Sequence, residues 1–122
     1  MTADDFRDLA LGLEGAIERA HMGHPDFRAN GRIFASLDAK EAWGTVKLLP
    51  EEQRELRRTH PKVFEPAAGA WGRQGWTRVQ LATADRRTVR SAVVLAWEHV
   101  TALPQKRSSS VGRRTGRSPR TR

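Results

Sequence analysis

The sequence predicts an α+β fold, a two-layer sandwich with an antiparallel β-sheet and about three helices packed on one face. Three observations carry that reading. An Asn30-Gly31 pair sits between two alternating apolar stretches. A run of further short strands follows at hairpin spacing, and amphipathic helical patterns stand at both ends of this β-rich middle.

The first helix is expected from about Ala3 to Gly12. Thr2 is placed to cap it, with Asp5 three residues on in the position usually held by Glu, and Asp4 and Asp5 suit the positive helix end. Phe6, Leu9, Ala10 and Leu13 recur at helical spacing and form an apolar stripe that must dock on something. Gly12 and Gly15 stop it.

Ala16 to Met22 reads as a strand, interrupted by Gly23 and Pro25 before a hairpin over Phe27–Leu37. Asn30-Gly31 supplies the two consecutive positive-φ residues of a type I′ turn. Centred there, the turn sets Ala29 against Arg32, Arg28 against Ile33 and Phe27 against Phe34. Phe27, Ala29, Arg32 and Phe34 then share one face, with the two rings in direct cross-strand contact. Asp38–Glu41 is a second turn. Ala42–Leu49 is a further strand with Trp43, Thr45 and Lys47 on one side and Val46 and Leu48 on the other, which completes a meander.

Pro50 opens a second helix with Glu51, Glu52 and Glu55 early and Arg57, Arg58 and His60 late, the polarity that the helix dipole favours. Leu56 is its main apolar anchor, so it is expected to be short and largely exposed. Pro66–Gly69 reads as a loop. Trp71-Gly72-Arg73-Gln74-Gly75-Trp76 reads as a tight reversal anchored by a ring at each end, leading into a strand over Thr77–Leu81. Asp85 caps the last helix, along which Val89, Val93, Ala96, Trp97 and Val100 recur, with Val94 and Leu95 broadening the buried face. Pro104 ends it.

At 122 residues with no cysteine, the chain is expected to form one domain over 1–103 without disulfides or thiolate metal sites. Residues 104–122 hold Ser, Gly, Arg, Thr and Pro and read as a disordered basic tail. The N-terminus has no signal-peptide pattern and no stretch reaches membrane-spanning length, so a cytoplasmic protein is the expectation.

Charge is unevenly distributed. The net charge is +8, yet the seven basic residues from Pro104 onward meet no acid, while fifteen basic and fourteen acidic residues leave only +1 in 1–103. The overall basicity therefore belongs to the tail and says little about the domain. Phosphate-binding loops, nucleophile elbows and dinucleotide fingerprints are missing, and no acid–base pair stands out, so no enzyme and no cofactor are expected. His21, His24 and Asp26 could be imagined around a metal, but their spacing across a Gly-Pro break fixes no geometry, and no metal is expected.

The binding candidates are cations near the hairpins and tryptophans: Arg28, Arg32, Lys47, Arg73 and Arg78. A β-hairpin can enter a DNA groove with such residues at its edge, although ordinary strand-surface charge explains them as well. Lys106, Arg107, Arg113, Arg114 and Arg117 in the tail suit salt-sensitive, sequence-blind phosphate contacts.

Taken in order, Gly23-His24-Pro25-Asp26-Phe27-Arg28, Gly31-Arg32-Ile33-Phe34-Ala35, Val46-Lys47-Leu48, Leu56, His60-Pro61, Trp71-Gly72, Gly75-Trp76 and Leu81 resemble the MmcQ/YjbR family over about residues 3–103. The resemblance implies a small bacterial α+β domain related in shape to frataxin-like and secretion-chaperone-like folds. It also implies DNA binding through a double-wing arrangement of hairpins, with Arg28, Arg32 and Lys47 at the matching positions and Trp71–Trp76 as a second projecting loop. No catalytic residue or cofactor comes with it. Arg32 stands where lysine is common in the family, and Leu11-Gly12-Leu13 where a Leu-Pro pair is usual. The expected molecule is a monomeric, non-enzymatic DNA-binding protein. The alternative is a protein-interaction adaptor using the sheet face, with only tail-mediated affinity for nucleic acid. A frataxin-like metal or small-molecule role is weaker, because it wants an acidic ridge that is absent.

Overall fold

Alternating apolar residues in consecutive short segments give a six-stranded antiparallel sheet in the order β1-β2-β3-β4-β6-β5. The computed structural model describes residues 1–21 and 23–104. The strands are β1 (Ile17–His21), β2 (His24–Ala29), β3 (Arg32–Leu37), β4 (Trp43–Lys47), β5 (Phe64–Pro66) and β6 (Trp76–Gln80). The helices are α1 (Ala3–Leu11), α2 (Pro50–Thr59), α3 (Gly69–Arg73) and α4 (Arg86–Thr101). The first four strands form the expected meander. The expected tail, with Lys106, Arg107, Arg113, Arg114 and Arg117, lies outside the described residues, as does Met22.

Both terminal helices are capped as their sequences dictate. The Thr2 hydroxyl accepts from the Asp5 amide at 3.0 Å, and the Asp5 carboxylate accepts from the Thr2 amide at 2.9 Å. The Asp85 carboxylate accepts from the Thr88 amide at 2.9 Å. Phe6, Leu9 and Ala10 of α1 and Val89, Ala92, Val93, Ala96 and Val100 of α4 are buried against one face of the sheet. There they meet Phe27, Ala29, Phe34, Ala35, Leu37, Val46 and Val79. A fully buried side chain such as Phe27 contributes about 1.5–3 kcal/mol through area removed from water. The Trp97 indole donates to the Glu14 carbonyl at 2.8 Å, tying the α1–β1 connection to α4.

The hairpin turn forms as its Asn-Gly chemistry requires, with φ of 56° at Asn30 and 74° at Gly31. The pairing beyond it corrects one expectation. Ala29 faces Arg32 and Arg28 faces Ile33, but the register then shifts and Phe27 pairs with Ala35, not Phe34. A bulge places Phe34 and Ala35 opposite one residue, and both are buried. Phe27 finds its aromatic partner in α1 instead, with ring centroids 6.1 Å from those of Phe6.

Three further features refine or change the expectations. Leu56 packs partly buried against the core as the apolar anchor of α2, but Gln53 is the residue of this helix that is buried. Its amide nitrogen lies within hydrogen-bond reach of the Gly72 and Trp76 carbonyls at 3.1 Å and the Thr77 hydroxyl at 3.0 Å, so a polar clamp is added to the apolar anchor. Phe64–Pro66 is an edge strand; its proline is tolerated because nothing pairs beyond it. The Trp71–Trp76 reversal begins inside the short helix α3.

Candidate nucleic-acid interface

Helices α1 and α4 cover one face of the sheet, and the period of two sends alternate residues of every strand to the other. The register aligns Arg19, Asp26, Ser36, Thr45, Arg78 and Glu65 in one polar row across all six strands. Flanking it on the same face are Arg28 and Ile33, Lys47 beside Trp76, and Trp43 beside Gln80.

Three cations on this face, Arg28, Arg78 and Lys47, are positioned by neighbours. Arg28 and Asp26 lie two residues apart on one strand, and they form a two-pronged pair: Nε to Oδ1 at 2.8 Å and Nη2 to Oδ2 at 3.1 Å. The Asp26 side chain is only 5% exposed, whereas that of Arg28 is 33% exposed and keeps its remaining donors toward solvent. The hydrogen-bonded carboxylate pushes the guanidinium pKa above its already high ordinary value, so Arg28 is permanently charged. The Arg78 guanidinium lies over the Trp43 ring at 4.0 Å and pairs with Glu65 at 3.2 Å. Lys47 donates to the Gln74 carbonyl at 2.7 Å, with its ammonium 6.0 Å from the Trp76 ring centre.

Beside these cations the face is hollowed into a groove of about 520 Å³. Asp26, Ile33, Ser36 and Thr45 form its floor, Ala67, Ala68 and Trp71 one wall, with Trp76 and His24 completing the lining. Trp71 and Trp76 meet edge to face with centroids 6.2 Å apart, and Trp71 remains 63% exposed. Two glycines make this wall possible. A Cβ on Gly72 would lie 2.0 Å from the Ala67 carbonyl oxygen, and one on Gly75, where φ is +107°, would lie 1.9 Å from that of Leu48. The Trp-Gly-Arg-Gln-Gly-Trp spacing is therefore the requirement of a chain folded tightly back over β6.

The five candidate cations of the domain do not converge. Arg28, Lys47 and Arg78 share the open face, and Arg73 is exposed at the end of α3 near its rim. Arg32 faces the helical side, where its guanidinium donates to the Pro104 carbonyl at 2.8 Å. The Asn30 amide donates to the Val100 and Leu103 carbonyls at 2.8 and 2.9 Å, so the hairpin tip is fastened to the end of α4. Arg19, outside the five candidates, joins the open face. Its signal, strand alternation with a direct Asp26 partner, depends on a register that only the fold supplies. For the imagined His21–His24–Asp26 set, both Asp26 oxygens are engaged by Arg28, and the His21 side chain lies outside what is described. Among the described residues, no cluster of three or more His, Asp or Glu could hold a metal, and no helix is long and apolar enough to cross a membrane.

The same fold occurs in a Deinococcus radiodurans protein, DR2400, whose crystal structure carries a DUF419 domain. The two superpose with a TM-score of 0.71 at 22% identity, covering 82% of this chain and 78% of that one. No curated protein matches the sequence. The family model described as YjbR matches residues 11–99, from the end of α1 through most of α4 and including every strand of the sheet. The chain belongs to the YjbR family.

Proposed function

We propose that this protein is a non-enzymatic DNA-binding protein whose domain contacts phosphates through Arg19, Arg28, Lys47 and Arg78 on the open face, with Arg73 at the rim. The basic segment after Pro104 adds sequence-blind affinity. One observation carries the reading: four cations lie on a single sheet face against two carboxylates, Asp26 and Glu65, in a domain whose total charge is close to zero. Cations interleaved with exposed tryptophan suit a polyanion that carries flat bases. Relative to the expected wing mechanism, contacts move from the hairpin tip, which α4 holds, to the sheet surface.

The test is a salt titration of DNA binding by the full chain and by a chain ending at Pro104, whose core is intact because every core residue precedes it. The shorter chain should bind at low salt, with log affinity falling against log salt at a slope of about −3 to −4. Arg28→Ala and Arg78→Ala should each flatten that slope by about 1. If the shorter chain binds nothing at low salt, the open face is not a DNA surface and any affinity belongs to the tail.

The exposed ring of Trp71 beside a largely apolar groove favours a second reading, an adaptor for another polypeptide. Recovery of one partner that survives nuclease treatment would support it.

A further inference from the structure

The groove beside the cations has features that a phosphate surface does not require. Its walls are aromatic and apolar, so a charged phosphate gains nothing by entering. A flat heterocycle gains a stacking partner in Trp71, whose ring is held by Trp76 yet left mostly uncovered. The floor presents the Ser36 and Thr45 hydroxyls, which both donate and accept, and therefore suit the mixed edge of a base. Both Asp26 oxygens already accept from Arg28, so no unpaired acid repels a polyanion at the floor. The volume, about 520 Å³, lies in the range of small-ligand sites. Lys47 borders the same groove through Trp76, and Ile33, on its floor, pairs directly with Arg28. Cations thus stand where the phosphates flanking a seated base would run.

Resting on the DNA-binding reading above, we infer that this groove takes one unpaired base of a single strand, stacked on Trp71 with its edge toward Ser36 and Thr45. The flanking phosphates lie against Lys47 and Arg28. A duplex keeps its bases stacked inside and cannot supply one, so the groove contributes to single-strand binding and not to duplex binding, which rests on the cations alone. An apolar peptide would fit the walls but makes no use of the positive charge that Arg28 and Lys47 hold beside them.

The experiment is fluorescence anisotropy on the full chain with three probes of about twelve nucleotides: oligothymidylate, a duplex, and an abasic strand carrying the same phosphates. Trp71→Ala should weaken oligothymidylate binding by about tenfold and leave duplex binding within about twofold, while Trp71→Phe keeps most of the affinity. The abasic strand should bind the parent no better than oligothymidylate binds Trp71→Ala. Equal affinity of parent and Trp71→Ala for oligothymidylate, or of the parent for abasic and normal strands, overturns the groove assignment. In either case, binding that remains salt-dependent and is weakened by Arg78→Ala leaves the DNA-binding reading standing. A parent that binds none of the three probes removes both.

Discussion

The two faces of this sheet are made by the same strands, yet they have opposite fates. On one face the row Phe27, Ala35, Val46 and Thr77 is fully buried beneath helices. One residue along each strand, the row Arg19, Asp26, Ser36, Thr45, Arg78 and Glu65 lies on the open face, bordered by Trp71 of the short helix α3 across the groove. An antiparallel sheet tolerates a bare face when that face is polar. This one is not uniformly polar: beside its four cations, Arg19, Arg28, Lys47 and Arg78, stand three tryptophans and a groove. The difference separates residues that hold the fold from residues available to a ligand, and substitutions on the two faces should separate in the same way.

The largest expected effect is on the covered face. Phe27→Ala should destabilise the domain by about 3–5 kcal/mol in urea unfolding, because it leaves a cavity against Phe6. Gly75→Ala comes next, at about 2 kcal/mol or more, since the new methyl meets the Leu48 carbonyl at a backbone φ of +107°.

Asp26 lies on the open face yet is buried beneath Arg28, so Asp26→Asn should split its effects. Stability falls by about 1–2 kcal/mol as a buried partner of Arg28 loses its charge. DNA affinity rises at low salt because a cation is released and an anion removed. Unfolding and anisotropy on the same preparation check both signs, and a parallel loss of affinity would place Arg28's role in the fold and not at a ligand.

The caps predict an acid-side dependence. Thr88, through its hydroxyl and its amide, holds Asp85 below the ordinary 3.8, and Thr2 does the same for Asp5. Their contributions are complete above that value and disappear as pH falls through the lower folded values. Asp85→Asn should therefore flatten the loss of stability below about pH 4. The smallest effect is expected at Thr45→Ala in the middle of the open face, within about 0.5 kcal/mol of the parent, measured by the same unfolding curve.

Local chemistry was legible in the sequence wherever it decides structure alone. Thr2 with Asp5, Asp85, Asn30-Gly31 and the apolar spacing of α4 each appear where their side chains require. The bulge at Phe34–Ala35 was not legible, because both readings keep apolar residues inside and only packing against Phe6 chooses between them. β5 is three residues long and contains proline, so it exists only because β6 is there to pair with it. The Asp26–Arg28 pair was visible in principle, since a spacing of two puts both on one side of a strand. The capture of Arg32 by the Pro104 carbonyl and of Lys47 by the Gln74 carbonyl joins residues 72 and 27 positions apart and required the fold.

The most direct test of the division between faces is a backbone and indole amide shift map recorded while an oligonucleotide is titrated into the full chain. Perturbations are expected at Arg19, Arg28, Ser36, Thr45 and Arg78 and at the Trp71 and Trp76 indoles, with α1 and α2 unmoved. Perturbations confined to residues beyond 104, or centred on α1 and α2, would contradict that division.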